Sequence, residues 1–368
     1  FKDGYGEGGV VVCMPAQLAG CCAELMLHGA REVLAQSGET QFIVVQNLQA
    51  GGAPGGGFAR TLYLENPRVR TCIVDLPWEQ EEAIAWLDQE VSAASGFQEV
   101  RFTADGTRLV PHLQLAKRCE DRSLQLDSKD VLVVTGGGKG IAAECALELA
   151  RTTGVRLGLL GRSHADRDEE LADNLRRLRA LGAEVRYVRV DVTDADAVQG
   201  AMQEIVEHFG AVTAVLHGAG INHPRLIQDL DEGAFRQTFA PKVLGLRNVL
   251  NAIPPGTLRG LVTFSSIIGR TGLPGEADYA LANEWASRIT ETYAKRQPEC
   301  LCLSLEWSVW SGSGMGERLG RIETLRQQGI ADIPTDEGVA TLIDLLQTPP
   351  NRTSVVVAGR FGDPDTVT

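Results

Sequence analysis

The sequence has no apolar stretch long enough to cross a membrane, and no secretory leader opens it. It also lacks an excess of basic residues, since 35 Lys and Arg stand against 48 Asp and Glu and give a net charge of −13. A surface that binds nucleic acid needs a basic stripe to neutralise phosphates, and anionic membranes likewise attract positive segments. We therefore expect a cytoplasmic protein that contacts neither nucleic acid nor membrane.

Metal-binding patterns are missing as well. The chain has 8 Cys and 6 His, but it has no Cys-x-x-Cys motif and no cluster of His. The adjacent pair Cys21 and Cys22, and the pair Cys300 and Cys302, do not have zinc spacing. Most Cys lie in apolar segments, among them Cys13, Cys72, Cys145 and Cys302. We predict no metal site, and we interpret these Cys as reduced residues of the core.

What the sequence does contain is a repeated alternation of strand and helix patterns. Apolar strands such as "TQFIVVQN" and "VLVVT" alternate with helical patterns, for example over residues 168–181, 194–209, 241–252 and 336–347. This alternation predicts an α/β fold made of two Rossmann-like subdomains, whose parallel sheets carry helices on both faces. The polar stretch "RCEDRSLQLDSKD" separates the two halves, and the chain begins with Phe1, which suggests a piece of a longer polypeptide.

The two halves differ in their glycine-rich turns. "AGGAPGGG" at 50–57 lacks the spacing of a phosphate-binding loop and is interrupted by Pro54, so we interpret it as a flexible loop. In the second half, "VLVVTGGGKGIAAECAL" places such a turn between a buried strand and a helix, where a cofactor pyrophosphate binds. The predicted cofactor residues of this turn are Thr135, Gly136, Gly138, Lys139, Gly140 and Ile141. The alternative is a tight strand–helix turn that binds nothing.

The next strands indicate which cofactor is bound. The second strand ends in Gly161, Arg162 and Ser163 instead of the acidic residue that usually holds the ribose of NAD. Arg suits a 2′-phosphate, so NADPH is favoured over NADH, although a solvated loop Arg is the alternative. Further predicted cofactor residues end the third and fourth strands of this half: Asp191, Val192, His217, Gly218, Ala219 and Gly220.

A hydroxyl pair follows at the positions that reduction of a ketone requires. Ser266 ends the strand "LRGLVTFSSIIG", and Tyr279 begins a helix in "DYALANEW". Hydride transfer leaves negative charge on the oxygen, which needs a proton donor and a hydrogen bond. Ser265 should point to the opposite face of the strand. A nearby ammonium would lower the pKa of the Tyr, yet Asn283 stands one helical turn later where a Lys is common.

These residues resemble the short-chain dehydrogenase/reductase family, and more narrowly the ketoreductase domains of type I polyketide synthases. In those domains Tyr-x-x-x-Asn replaces Tyr-x-x-x-Lys, and the Lys lies on the preceding helix, as Lys242 does in "FAPKVLGLRNV". The resemblance implies that Tyr279 is the acid, Ser266 the holder of the carbonyl, and Lys242 the cation that lowers the Tyr pKa. It also implies that Asn283 orients Lys242.

The resemblance extends to nearly the whole chain. It implies that residues 1–118 form a structural, cofactor-free subdomain and that residues 119–368 form the catalytic, NADPH-binding one. Strings such as "SSIIGRTGLPGEADYALANEW" resemble iterative synthases of the enediyne polyene type most. The Gly-rich stretch near 311–333 is interpreted as a lid over the substrate, with an ordinary surface helix as the alternative.

The implied function is the NADPH-dependent reduction of a β-ketoacyl thioester on an acyl carrier protein, next to neighbouring domains of a synthase. Two alternatives stay open: a structural unit without reductase activity, and a free-standing reductase of small ketones. The family's stereochemical fingerprints are absent, since "GINHPRLIQ" replaces Leu-Asp-Asp and Thr271 stands where some members have Trp. The configuration of the alcohol is therefore not predicted.

Overall fold

A computed structural model of the protein describes residues 8–16, 23–320, 322–327, 329–360 and 365–366. The pair Cys21 and Cys22 lies outside the described residues. Two larger parallel sheets with packed helices confirm the predicted α/β class. No helix in these ranges is long and apolar enough to span a membrane. No group of three or more His, Cys, Asp or Glu in them is arranged to hold a metal ion.

The first sheet has five strands in the order β1-β2-β3-β4-β5. Its first four strands run parallel, and β4 and β5 form an antiparallel hairpin whose turn contains Asp105 and Gly106, where Gly106 has a φ of 80°. The strands are β1 Gly9–Cys13, β2 Thr40–Gln46, β3 Val69–Asp75, β4 Phe97–Phe102 and β5 Arg108–Leu109. The helices are α1 Glu24–Leu34, α2 Gly56–Glu65 and α3 Ala83–Ala93.

The second sheet has seven parallel strands in the order β14-β11-β10-β9-β6-β7-β8. These strands are β6 Val131–Thr135, β7 Arg156–Gly161, β8 Val185–Arg189, β9 Ala214–His217, β10 Gly260–Ser266, β11 Leu301–Trp307 and β14 Ser354–Val357. Strand β6 pairs with β7 on one side and with β9 on the other. The chain order reverses there, and such switch points create a crevice at the carboxyl ends of the strands.

Nine α-helices belong to the described part of the second half. They are α4 Gly140–Thr153, α5 Glu169–Ala180, α6 Ala195–Phe209, α7 Glu232–Asn251, α8 Ile268–Thr271, α9 Ala277–Arg296, α10 Met315–Arg318, α11 Ile322–Gln327 and α12 Thr335–Gln347. Short 3₁₀ turns occur at Ala165–Arg167 and Ile227–Asp229. A small sheet pairs β12 Trp310–Ser311 with β13 Ile333–Pro334 and joins the two ends of the segment predicted as a lid.

The predicted helix over 241–252 is wrong at its beginning. Helix α7 starts at Glu232, because the side chain of Asp231 accepts a hydrogen bond from the Ala234 N–H and caps it. Pro241 lies within the helix, where proline usually marks a boundary. Lys242 is therefore near the middle of α7 and faces the core, instead of lying near the helix start.

Two further predictions need correction. The stretch 50–57 is not a flexible loop, since Ala53 is fully buried and Gly57 is packed in the first turn of α2. A Cβ on Gly57 would lie 2.7 Å from the Ala280 carbonyl oxygen, so only glycine lets α2 approach α9 this closely. Of the predicted core Cys, Cys72, Cys145 and Cys302 are buried, but Cys13 is exposed because it ends the edge strand β1.

The polar join contacts the end of α12 and the loop that follows it. Arg118 forms an isolated antiparallel bridge with Pro350, and the Leu124 N–H donates to the Leu346 carbonyl. The division at residues 118 and 119 stays a prediction.

Candidate active site

The four residues of the predicted catalytic set come from strand β10 of the second sheet and from two helices of the same half, α7 and α9. Ser266 is the last residue of β10, Tyr279 and Asn283 lie in the first two turns of α9, and Lys242 lies on α7. All four are at most 9% exposed. The structure therefore brings them to the carboxyl end of the sheet, where open α/β sheets bind their ligands.

Lys242 and Tyr279 are close, but Lys242 and Asn283 are not paired. The Lys242 ammonium lies 5.6 Å from the centroid of the Tyr279 ring and donates a 2.8 Å hydrogen bond to the Phe264 carbonyl. The Asn283 amide donates at 2.7 Å to the backbone carbonyl of Tyr279, and its buried Oδ1 has no partner. Among the described residues no hydrogen bond joins Lys242 to Asn283, so the implied orienting contact is not formed in this arrangement.

The electrostatics of the pair also differ from the expectation. Burial raises the pKa of Tyr279 above its usual range, the charge of Glu276 adds to this, and contact with Asn283 opposes it. Burial also lowers the pKa of Lys242 to about 8. The net shift of the Tyr279 pKa is therefore upward, because desolvation of the phenol dominates, and a lowering contribution from the Lys242 charge stays a prediction.

The two serines that end β10 have different hydrogen-bond partners, although both line the same apolar cavity. Ser266 Oγ accepts a 3.3 Å hydrogen bond from the Ile268 N–H and lies on the side of a cavity. Ser265 Oγ instead donates to the Asn283 carbonyl at 3.3 Å and takes hydrogen bonds from Ser287 and Ser304. Ser265 thus ties β10 to α9 from within the core.

A cavity of about 310 Å³ lies at the switch point between β6 and β9. The walls contain 13 of the 15 residues predicted to bind cofactor: Gly136, Gly138, Lys139, Gly140, Ile141, Gly161, Arg162, Ser163, Asp191, Val192, Gly218, Ala219 and Gly220. Lys242 and Tyr279 line the same cavity. The predicted residues thus surround one space, although they come from four strand ends.

The remaining two predicted cofactor residues, Thr135 and His217, are fully buried and do not line the cavity. Burial, with the charge of Lys242, lowers the pKa of His217 to about 3, so the ring is neutral. Nε2 donates to the Lys242 carbonyl at 3.1 Å, so Nδ1 accepts from the Thr135 hydroxyl at 2.8 Å. Thr135 Oγ1 also accepts from the Ala219 N–H. This chain of bonds supports the wall from behind.

The glycine-rich turn has the shape that a dinucleotide requires. Gly136 has a φ of 67°, and a Cβ there would lie 3.1 Å from the backbone of Gly218 and Ala219. The first N–H of α4, that of Gly140, already holds an anion, because it donates to the Glu170 carboxylate at 3.0 Å. A backbone N–H at a helix N-terminus that binds a carboxylate can also donate to a phosphate. The residues present therefore fit a dinucleotide.

Beside the turn, basic and acidic side chains meet at the end of β7. Lys139 donates to Ser163 Oγ at 3.1 Å and to Asp168 at 2.6 Å. Partial burial acts to raise the pKa of Asp168, but hydrogen bonds from Lys139 and Ser163 hold it at about 2. Arg162 is more than half exposed and lies 3.9 Å from Asp191. No sequence pattern marks Asp168 and Glu170 as site residues, because both resemble ordinary acidic residues at the start of a charged helix.

A second cavity of about 350 Å³ adjoins the first and is mostly apolar. Ser266 and Tyr279 reach it from the sheet side, and Trp307 and Trp310 form part of its walls. The predicted lid contributes Met315, Leu319, Leu325 and Ile330. Five residues line both cavities, namely Ile141, Ser265, Tyr279, Gly314 and Met315, so the Tyr lies between a polar space and an apolar one.

Comparison with known proteins identifies the second half of the chain. Residues 131–312 match the family model of the KR domain. This part of the chain is therefore similar to the KR domain. This match spans the Gly-rich turn, Lys242, Ser266, Tyr279 and Asn283, although it does not by itself assign their roles.

Relatives of the KR domain are parts of large synthases. The chain is 30% identical over 326 residues to polyketide synthase PksL of Bacillus subtilis, and 32% identical over 303 residues to erythronolide synthase EryA3 of Saccharopolyspora erythraea. Each match covers 82% of this chain, but only 7% and 9% of the two relatives. The chain thus spans a small part of the relatives' length.

Solved structures show the same fold. A ketoreductase domain from the bacillaene assembly line is 25% identical and superposes with a TM-score of 0.75, covering 91% of this chain and 81% of that one. A ketoreductase from the first module of phoslactomycin biosynthesis in Streptomyces sp. HK803 is 24% identical, with a TM-score of 0.78, and covers 98% and 82%. The match extends beyond the KR domain into the first half of the chain.

Proposed function

We propose that this chain reduces a β-ketoacyl thioester to the β-hydroxyacyl thioester, with NADPH as the hydride donor, within a polyketide synthase. One observation carries the proposal. Tyr279 lies where the polar cavity lined by the Gly-rich turn meets the apolar cavity that contains Ser266. A nicotinamide ring and a ketone that entered from the two sides would meet at this hydroxyl.

The chain's own residues then have distinct tasks. Ser266 donates a hydrogen bond to the ketone oxygen, and Tyr279 gives it a proton as negative charge develops there. The Lys242 charge, 5.6 Å from the Tyr279 ring centroid, opposes the cost of the phenolate that remains. The Asn283 side chain donates a hydrogen bond to the backbone carbonyl of Tyr279 and thereby holds this turn of α9. Bound NADPH supplies the hydride.

The polar cavity offers a place for each part of the cofactor. Gly136, Gly140 and Ile141 would hold the pyrophosphate against the start of α4. Lys139, Arg162 and Ser163 would hold the 2′-phosphate, because cations and a hydroxyl meet there. Asp191 and Val192 would flank the adenine, and Gly218, Ala219 and Gly220 would leave room beside the nicotinamide half. Thr135 and His217 would not touch the cofactor, and they would support the cavity wall from behind.

The first half, residues 1–118, is proposed to be a cofactor-free brace for the catalytic half, residues 119–368. Arg60 donates to the Gly269 carbonyl at 2.8 Å, and the Gly57 N–H donates to Glu284 at 2.7 Å. Glu65 accepts from the Gly275 N–H at 2.8 Å. The contacts to Gly269 and Gly275 hold the segment that connects Ser266 to Tyr279, and the contact to Glu284 holds α9 just beyond Tyr279, which supports a positioning role.

The proposed partners follow from the substrate. An acyl carrier protein would present the thioester, and neighbouring domains of the same synthase would adjoin the chain, since its relatives are much longer polypeptides. The segment 311–333 would act as the lid, because it lines both cavities. The narrower assignment to an iterative synthase of the enediyne polyene type is supported by sequence strings alone.

The test is oxidation of NADPH with a β-ketoacyl N-acetylcysteamine thioester or with trans-1-decalone. We expect turnover that requires Tyr279, and NADPH binding measured separately that does not. Full turnover by Tyr279→Phe would overturn the catalytic assignment. Binding of NADPH without turnover of any β-keto surrogate would instead identify a structural unit.

A further inference from the structure

The N-terminus of α4 is closed by a carboxylate from a distant part of the chain. Gly140 is the first residue of α4, so its N–H has no acceptor within the helix. Glu170, the second residue of α5, fills this place and accepts from Gly140 at 3.0 Å. The carboxylate therefore lies where the cofactor pyrophosphate has to bind.

The same carboxylate also holds the lid. Arg318, the last residue of α10, donates to both oxygens of Glu170 at 2.9 and 2.8 Å. Arg318 and Gly314 line the cofactor cavity beside Gly140. One anion thus joins the phosphate-binding turn to the segment that also covers the apolar cavity.

Charge makes this arrangement incompatible with a bound dinucleotide. Glu170 beside a pyrophosphate would place like charges in contact, which is costly. The Arg318–Glu170 pair is about half exposed on both sides, and pairs of this kind are weak and readily broken. The Arg fork binds phosphate in two-point geometry, so Arg318 gains a stronger partner when Glu170 leaves.

We propose that Glu170 occupies the pyrophosphate position of the free protein and that Arg318 transfers from Glu170 to the pyrophosphate when the cofactor binds. Arg318 then becomes a cofactor-binding residue carried by the lid, and cofactor binding draws α10 over the site. This inference rests on the proposed function, because it assumes that the cavity takes NADPH.

The test compares two ligands that both carry the 2′-phosphate. 2′-Phospho-ADP-ribose contains the pyrophosphate, and adenosine 2′-monophosphate does not. Calorimetric titration gives the dissociation constant of each for the wild type, Glu170→Gln and Arg318→Gln. We expect Arg318→Gln to weaken 2′-phospho-ADP-ribose by about tenfold, the scale of one charge-assisted pair. Glu170→Gln should tighten it several-fold, and neither variant should change the affinity for adenosine 2′-monophosphate.

Matched controls test the effect of charge alone. Glu169→Gln removes a negative charge from the same turn of α5, and Arg326→Gln removes an Arg of the lid segment that pairs with Asp332. Both should bind 2′-phospho-ADP-ribose like the wild type. Circular dichroism and a thermal melt verify that each variant is folded.

Three results would overturn the inference. Equal weakening of both ligands by Arg318→Gln would show a general electrostatic effect. No tightening in Glu170→Gln would show that the carboxylate does not compete. Affinities for both ligands that do not depend on Glu170 or Arg318 would overturn the proposed transfer of Arg318 alone.

A different result would overturn the proposed cofactor site itself, namely wild-type protein that binds neither ligand.

Discussion

Lys242 lies under the ring of Tyr279, with its ammonium 5.6 Å from the ring centroid and hydrogen-bonded to the Phe264 carbonyl. The side chain is 3% exposed, and burial lowers its pKa to about 8 from an ordinary 10.5. The protein therefore keeps a cation next to its proposed acid at the expense of stability. This relationship has a consequence that depends on pH.

Wild type should gain stability relative to Lys242→Met as the pH rises from 8 to 10.5. In that window the unfolded chain binds the Lys proton and the folded chain does not, so unfolding becomes less favourable with increasing pH. The relative gain is about 3 kcal/mol at most, from 1.36 kcal/mol per pKa unit. Urea unfolding of both proteins at pH 7.5 and pH 10 measures it. A difference that does not change with pH would mean that Lys242 titrates normally.

Tyr279→Phe should lower kcat by about a hundredfold or more, because a general acid contributes on this scale. NADPH binding should change little, since the ring that lines the cavity stays in place. Stopped-flow reduction of a β-ketoacyl surrogate measures the first quantity, and fluorescence titration measures the second. Tyr293→Phe on the same helix is the control and should keep full turnover.

Arg60→Met should destabilise the protein by about 3–5 kcal/mol, because it leaves buried carboxylates without their cation. Arg60 is 4% exposed and pairs with Glu99 at 2.6 Å and with Glu284 at 3.4 Å. Chemical unfolding measures the loss. Arg186→Met, which breaks a pair with Glu204 in which both side chains are exposed, should cost much less. Equal losses in the free energy of unfolding would show that burial does not make the Arg60 ion pairs more important for stability than an exposed pair.

Gly57→Ala should both destabilise the protein and slow turnover. The added methyl would meet the Ala280 carbonyl oxygen at 2.7 Å and push α9, with Tyr279, away from α2. Overpacking of this kind costs about 1–3 kcal/mol. Gly200→Ala is the matched control, because its Cβ meets nothing within 4 Å and lies within helix α6. That control should be neutral or stabilised by up to about 1 kcal/mol. A fully active, stable Gly57→Ala variant would contradict the packing argument.

The sequence located the parts of the site that depend on local pattern. A strand, a Gly-rich turn and a helix in succession predict the crevice at Gly136 and Gly140, since the backbone there must adopt a positive φ and approach its neighbours closely. The alternation of side chains along a strand likewise accounts for the different hydrogen-bond partners of Ser265 and Ser266, although both residues line the apolar cavity. The start of α7 was misplaced, because the cap at Asp231 outweighs the local effect of Pro241.

By itself, therefore, the sequence determined the α/β class, the order of strands and helices, and the residue types gathered at the strand ends, because these follow from short-range periodicity and turn chemistry. Only the tertiary structure decided the partners. Lys242 donates to Phe264 and not to Asn283, and Glu170 closes the start of α4 and holds Arg318. These partners come from elements far apart in the chain, and their pairing depends on packing distances and desolvation, which no local pattern encodes.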